Sequence, residues 1–151
     1  MGNQSCATAR CSLEHGGVEY CVQCAEYPCG QYKQEDAFDS LLTHRNRRRD
    51  LERIMAMGAT GYQQELLEKR KILQWLLERW NDGRHKGFFC LAVNLLPLET
   101  VRSVAGKLER EAGQDLPERE KAIRAAALLQ AEADRQGICL KLRRKQGKKK
   151  N

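Results

Sequence analysis

Apolar residues recur every three or four positions along most of the chain, which predicts a mainly helical protein. Residues 34–57 fit one helix, and the polar stretch THRNRRRD at 43–50 interrupts its apolar face. That interruption either exposes the middle turns or divides the helix in two. A second helix is predicted from the apolar stripe that runs from Tyr62 to Trp80, and it stops at the sequence Asn81-Asp82-Gly83.

Two more helices are predicted in the second half of the chain. The first begins at Pro97, whose fixed φ suits an opening helical turn, and ends before Gly113. Its predicted inward-facing residues are Val101, Val104 and Leu108. The last helix follows Pro117 and stops at Gly137. Its predicted inward-facing residues are Ile123, Ala126, Ala127 and Leu128.

Two short apolar segments are predicted to be strands. Residues 88–95 alternate as a strand does and also fit a helical face, but the flanking glycine and proline favour a buried strand. Residues 138–142, ICLKL, alternate as well. Because a lone strand leaves its backbone groups without ladder partners, we expect these two segments to pair. Cys90 and Cys139 would then be small core side chains, as free cysteines often are.

The predicted fold class is α+β, mainly α, with an N-terminal cysteine-rich metal knuckle and a helical body that holds a short two-stranded sheet. The predicted division is a metal-binding segment at 1–33, a helical body at 34–145 and a basic tail at 146–151. The net charge of +7 arises at the C-terminal end, since the other 20 Lys and Arg residues balance 20 Asp and Glu residues. The seven basic residues responsible are Lys141, Arg143, Arg144, Lys145, Lys148, Lys149 and Lys150.

Clustered cysteines provide the clearest chemical pattern. Five of the seven lie in the first 29 positions: Cys6, Cys11, Cys21, Cys24 and Cys29. A two-residue gap lets a tight turn direct both sulfurs of Cys21 and Cys24 at one ion, and Gly16-Gly17 lets the earlier pair fold back. A short segment with few apolar residues rarely keeps a shape without a metal or cross-links. We therefore predict a zinc site formed by four of the five thiols, and the sequence leaves open which four.

Other uses of these thiols are weaker fits. An iron–sulfur cluster is the nearest alternative cofactor, but in the familiar ferredoxin motif a proline follows the last cysteine, whereas Pro28 precedes Cys29. CVQC has the C-x2-C form of thiol redox enzymes, yet nothing strand-like precedes Tyr20. His15 could replace one sulfur as a ligand, although a polar loop residue is the simpler interpretation.

Composition narrows the class of protein. No stretch approaches the ~18 apolar residues of a membrane span, and the N-terminal residues lack the features of a secretory signal, so we expect a cytoplasmic protein without a membrane partner. The three histidines lie in no nucleophile or hydrolase motif, which favours a binding or scaffolding role, with an unidentified protein partner, over an enzyme. A cluster of four arginines and the basic tail could contact nucleic acid, but the neutral body makes that partner the less favoured interpretation. The four are Arg45, Arg47, Arg48 and Arg49. The oligomeric state stays open.

The stretch CATARCSLEHGGVEYCVQCAEYPCGQY, residues 6–32, resembles the cysteine-rich prokaryotic family catalogued as domain of unknown function 3795. Members carry a C-x4-C group and then a C-x2-C-x4-C group with an aromatic–proline pair before the last cysteine. The matching positions are Cys6, Cys11, Cys21, Cys24, Pro28 and Cys29. Residues 80–99 also look like the helical continuation of some relatives. The resemblance implies a metal-binding module, and relatives usually carry a further upstream cysteine group, so it leaves the number of ligands open.

Overall fold

The computed structural model describes residues 7–30, 39, 43–111 and 116–144. Within those ranges it contains five α-helices and one short 3-10 turn, which confirms the prediction of a mainly helical protein. The helices are α1 (Ala7–Glu14), α2 (Arg47–Arg79), α3 (Lys86–Leu95), α4 (Leu98–Glu111) and α5 (Glu118–Arg135). None of the described helices combines the length and the apolar character that a membrane crossing requires.

The described chain divides into two compact units. The first includes the described residues up to Tyr62 together with Arg144, and the second includes those from Gln63 to Arg143. Helix α2 contributes residues to both units. The predicted boundaries after residues 33 and 145 lie outside the described residues and stay predictions.

The second unit has a continuous apolar core formed by α2, α3, α4 and α5. Its largest fully buried side chains are Trp80, Phe89, Leu76, Leu96, Leu108, Leu129, Val101 and Val104. The predicted inward face of α4 is confirmed, because Val101, Val104 and Leu108 are all buried. Spacings of three and four residues place these side chains on one side of an α-helix.

The strand predicted at residues 88–95 is wrong, because this segment forms most of α3. Its buried residues are Phe89, Ala92, Val93 and Leu95. An apolar run this short satisfies both periodicities, and the surrounding elements decide between them. Here α5 packs against α3, so a helix buries the same side chains while satisfying its own backbone hydrogen bonds.

The second predicted strand, at residues 138–142, is also wrong, since the segment has no regular secondary structure. Gly137 ends α5 as predicted, in the left-handed region at φ 66°. The amide of Ile138 donates to the carbonyl oxygen of Ala133 at 2.8 Å, the arrangement of a helix-terminating Schellman motif. Leu140 is buried in the helical core. Because residues 88–95 are helical, a strand here would lack its expected partner.

Four further expectations about buried residues are wrong, and the first is Ala127 of α5, which is exposed. Ile123 is 51% exposed, and the buried face of α5 consists of Ala122, Ala125, Leu129 and Ala133. Small alanines let α5 lie close to α3 and α4, and Leu129 is the one large apolar side chain on this buried face. Cys90 and Cys139 are exposed and not in the core.

Polar side chains hold both ends of α3. One carboxylate oxygen of Asp82 accepts the amides of Arg84 at 3.0 Å and His85 at 3.2 Å, and it lies 2.8 Å from Nδ1 of His85. At the other end the Lys69 ammonium donates to the carbonyl oxygen of Leu96 at 2.7 Å. The contacts to the His85 amide and the Leu96 carbonyl oxygen satisfy backbone groups that a helix leaves without internal partners.

The first unit has a smaller apolar cluster. Leu51, Ile54 and Tyr62 of α2 are its buried residues. Between them the backbone of α2 leaves helical geometry at Gly58, where φ is 78° and ψ is 163°. The break expected ahead of the second predicted helix is therefore present, at a residue that tolerates positive φ.

Candidate metal centre

Helix α1 carries Cys11, and the chain reverses direction directly after it. The Ser12 hydroxyl donates to the carbonyl oxygen of Val18 at 2.6 Å, and the amide of Gly17 donates to the carbonyl oxygen of Ser12 at 2.7 Å. Gly16 and Gly17 have φ of 88° and 71°, a region that glycine adopts without a steric penalty. The reversal returns the chain from α1 toward the second cysteine segment.

The second cysteine segment consists of consecutive tight turns. Cys21–Gln23 is a 3-10 turn in which the amide of Cys24 donates to the carbonyl oxygen of Cys21 at 3.0 Å. The amide of Tyr20 donates to Oε1 of Gln23 at 2.9 Å, and the amide of Tyr27 donates to the carbonyl oxygen of Cys24 at 3.1 Å. Cys21 and Cys24 therefore begin and end one hydrogen-bonded turn, which is the arrangement that the two-residue gap predicted.

The apolar cluster of the first unit supports this segment. Five of its residues are partly buried against Leu51, Ile54 and Tyr62, and they are Tyr20, Cys21, Val22, Tyr27 and Cys29. Two cysteine side chains thus pack on the same residues of α2. A turn held at several points by side-chain packing presents its sulfurs in a restricted set of positions.

The four described N-terminal cysteines, Cys11, Cys21, Cys24 and Cys29, form what we call the thiol cluster. All four are free and partly buried. Partial burial raises the pKa of the Cys11 thiol, and the neighbouring thiols of Cys29 and Cys24, the Glu14 carboxylate and the Cys21 thiol raise that pKa further. Cys11 therefore shares one electrostatic neighbourhood with the three cysteines of the second segment.

The thiol cluster has the sulfur donors that zinc prefers, but its side chains are not arranged around a common point as the ligands of a bound ion would be. Across residues 7–30, 39, 43–111 and 116–144, no three Cys, His, Asp or Glu side chains are arranged to hold a metal ion. Cys6, the fifth predicted ligand, lies outside the described residues. An ion would have to draw the sulfurs of the thiol cluster together.

His15, which follows α1, lies near the carboxylate of Glu26 in the second cysteine segment. Its Nδ1 lies 3.8 Å from Oε1 of Glu26, and its amide donates to the carbonyl oxygen of Cys11 at 3.1 Å. The sequence pattern suggested His15 as a possible metal ligand, but it did not predict that Glu26 lies beside it. Ser12 was also missed, because a serine in a polar stretch carries no spacing signal. Tyr20 and Tyr27 lie next to the cysteines in the sequence, but the sequence did not predict that they pack on α2.

The second unit contains a concave feature. A groove of about 220 Å³ between α2 and α4 is lined by Lys71, Ile72, Trp75, Ala105 and Glu109. It combines one ammonium and one carboxylate with apolar walls, and the residues that line it include no cysteine, no histidine and no pair of carboxylates. The thiol cluster is therefore the stronger candidate for chemistry.

No family model matches the chain, and neither a curated protein nor a solved structure matches it. The resemblance to the cysteine-rich family stays a prediction that rests on the six positions named above.

Proposed function

We propose that this chain is a cytoplasmic metal-binding protein with zinc as its ion, and that it serves as a binding or scaffolding module and not as an enzyme. Cys11, Cys21, Cys24 and Cys29 are the proposed ligands. Cys6 is the alternative to one of them. Zinc would act as a structural element that gives the N-terminal knuckle its shape, as it does in small sulfur-ligated modules.

One observation carries this proposal: the chain reverses after Cys11, through the Ser12–Val18 hydrogen bond, and leads into the hydrogen-bonded turn that Cys21 and Cys24 begin and end. The three cysteines at 21, 24 and 29 are also among the causes of the raised pKa of Cys11. Repulsion from neighbouring thiolates favours the protonated form of the Cys11 thiol. A divalent cation reverses the effect, because each thiolate is then attracted to a shared positive charge. Binding would release protons and stabilise the segment, since zinc binding by such modules contributes roughly 10–16 kcal/mol to folding.

The turn at Cys21–Gln23 supports the choice of a small tetrahedral ion. A tight turn between two sulfurs matches the short ligand spacing of zinc sites. An iron–sulfur cluster would use the same four thiols, so the metal identity needs a direct measurement. The two cofactors differ in colour, in iron content and in acid-labile sulfide.

The decisive experiment is elemental analysis of the full-length chain purified without oxygen or chelator. We expect one zinc per chain, no iron and no visible absorption. The double variant Cys21→Ser, Cys24→Ser should retain no stoichiometric zinc, because it loses two of four ligands. The matched control is Cys90→Ser, Cys139→Ser, which removes two exposed thiols of the second unit and should bind zinc as the parent chain does.

Two outcomes would contradict the proposal. The first is a chain that holds no zinc after purification and takes up none on titration. The second is equal zinc content in the two double variants, which would separate the ion from the thiol cluster. Iron and sulfide in place of zinc would assign the same residues to a cluster.

A further inference from the structure

We propose that Cys21 and Cys24 form a reversible disulfide whose formation expels the metal ion, so that the thiol–disulfide balance of the compartment controls metal occupancy. This regulation rests on the proposed function. It concerns the same ligands but needs a property that a zinc site does not need by itself, namely two thiols placed to bond directly to each other.

The turn geometry supplies that property. An i to i+3 hydrogen bond closes a turn whose first and fourth Cα atoms lie within about 7 Å. Disulfides need Cα separations of about 4.4–6.8 Å, so the two ends of this turn are in the range that an S–S bond spans. The bond between the Cys24 amide and the Cys21 carbonyl oxygen is 3.0 Å long, and the Tyr20–Gln23 contact of 2.9 Å holds the same turn.

The other members of the thiol cluster are placed differently. Cys11 belongs to α1, and Cys29 lies five residues beyond Cys24 outside that turn. Both thiols of the proposed pair are free and partly exposed, so a small oxidant can reach them. The pair thus combines a preformed turn with access from solvent.

The reaction is thiol–disulfide exchange with a low-molecular-weight disulfide such as glutathione disulfide. One cysteine of the pair loses its proton to solvent, and its thiolate attacks the small disulfide. The S–S bond of that molecule breaks, and one small thiolate leaves with the electron pair. The second cysteine, also deprotonated, attacks the mixed disulfide and releases the second small thiolate. Two protein thiols are oxidised, one small disulfide is reduced, and the two leaving thiolates take up protons.

Oxidation of this pair removes two of the four proposed ligands. Zinc is held by thiolates, and disulfide sulfurs are not equivalent donors. Cys11 and Cys29 alone cannot supply four tetrahedral ligands. The linkage is reciprocal, so bound zinc must also protect the pair from oxidation. With free zinc held at ten times its Kd, the glutathione disulfide level needed for half-oxidation should rise about tenfold.

The test uses the full-length chain in anaerobic glutathione buffers of stepped ratio, once freed of metal and once loaded with zinc. After alkylation, cleavage at Lys, Arg and Glu places Cys21 and Cys24 together in the peptide YCVQCAE, residues 20–26, with Cys11 and Cys29 in separate peptides. In the metal-free chain we expect this peptide to be unalkylated and two hydrogen atoms lighter, while the Cys11 and Cys29 peptides are alkylated.

Two variants show whether Cys21 and Cys24 bond to each other. Cys21→Ser should leave the small thiol attached to Cys24 as a stable mixed disulfide, because the resolving thiol is gone. Cys90→Ser, Cys139→Ser is the matched control and should oxidise at residues 20–26 as the parent chain does. A fully alkylated 20–26 peptide at the most oxidising ratio, or cross-links from it to another peptide, overturns the proposed pair. One bound zinc per chain without protection overturns the regulation alone, whereas a chain that binds no zinc overturns the proposed function.

Discussion

The register of α5 provides the sharpest test of the fold, because sequence and structure disagree about which of its residues are buried. The sequence places Ile123 inward, whereas the structure exposes 51% of it and buries Leu129 completely. Leu129→Ala and Ile123→Ala remove the same number of carbon atoms from the same helix. The two substitutions therefore differ mainly in burial, which makes each the control for the other.

The structure gives each substitution a different magnitude. Leu129→Ala removes three buried carbons, worth about 2.4 kcal/mol at about 0.8 kcal/mol each. The cavity left in a rigid core brings the loss to about 3–4 kcal/mol. Ile123 is half exposed, so its truncation forfeits about 1.2 kcal/mol. Alanine's higher helix propensity restores about 0.5 kcal/mol, which leaves a net loss of about 0.7 kcal/mol. We expect a difference of about 2–3 kcal/mol between the variants.

Tryptophan fluorescence during urea unfolding measures this difference. Both tryptophans, Trp75 and Trp80, lie in the second unit with α5, so their signal reports the unit in which the substitutions are made. Unfolding midpoints and slopes should be compared at one pH and one temperature. If Ile123→Ala lowers the free energy of unfolding as much as Leu129→Ala or more, the register described here is wrong and the sequence-based one is right.

Three further predictions concern helix ends, and the same unfolding assay measures each. Gly137→Ala should lower the free energy of unfolding by about 1–2 kcal/mol, because φ is 66° at this position and L-residues are strained there. The added Cβ would have no atom within 4 Å, so it would gain no packing contact to offset that strain. An unchanged free energy of unfolding would contradict the left-handed turn. Lys69→Met should cost about 1–2 kcal/mol by leaving the Leu96 carbonyl oxygen without this donor, and an unchanged midpoint would refute that contact. The hydrogen bond to His85 holds the pKa of Asp82 at about 2, below its ordinary 3.8, so this carboxylate's contribution is complete above pH 3.8 and is lost as pH falls toward 2. Asp82→Asn should therefore remove part of the acid sensitivity in that window, and identical pH profiles would argue against it.

Periodicity correctly predicted helices that have a single wide apolar stripe. It failed where the same apolar residues fitted two different secondary structures or two different buried faces. Helix α4 was predicted with its buried face correct, because Val101, Val104 and Leu108 have no competing arrangement. Residues 88–95 are apolar on nearly every side, so the pattern could not show that α5 lies against them. In α5 the buried face consists of three alanines and Leu129, and it shares no residue with the predicted inward set of Ile123, Ala126, Ala127 and Leu128. Tertiary contacts decided both cases.

For the candidate metal centre, the spacing of the cysteines predicted the tight turn between Cys21 and Cys24, but not where Cys11 lies relative to that turn. The two-residue gap between Cys21 and Cys24 implies a tight turn, and the structure contains one. The gap of nine residues between Cys11 and Cys21 sets no distance by itself. That relation depends on hydrogen bonds such as the one from Ser12 to Val18, which a sequence pattern does not encode. The choice of four ligands from five thiols therefore remains outside what spacing can determine.

The two units differ in what holds them together, and this difference bears on why thiols are concentrated in one of them. In the second unit, side chains from four helices form one continuous apolar core. In the first unit, the described cysteine segments rest on Leu51, Ile54 and Tyr62, and α1 has no buried residue at all. Ordering the backbone costs about 1–2 kcal/mol per residue, which so small an apolar cluster does not offset for the whole segment. An ion bound by the thiol cluster would stabilise α1 and the turns where burial is weakest, and its loss on oxidation would affect the first unit while leaving the core of the second intact.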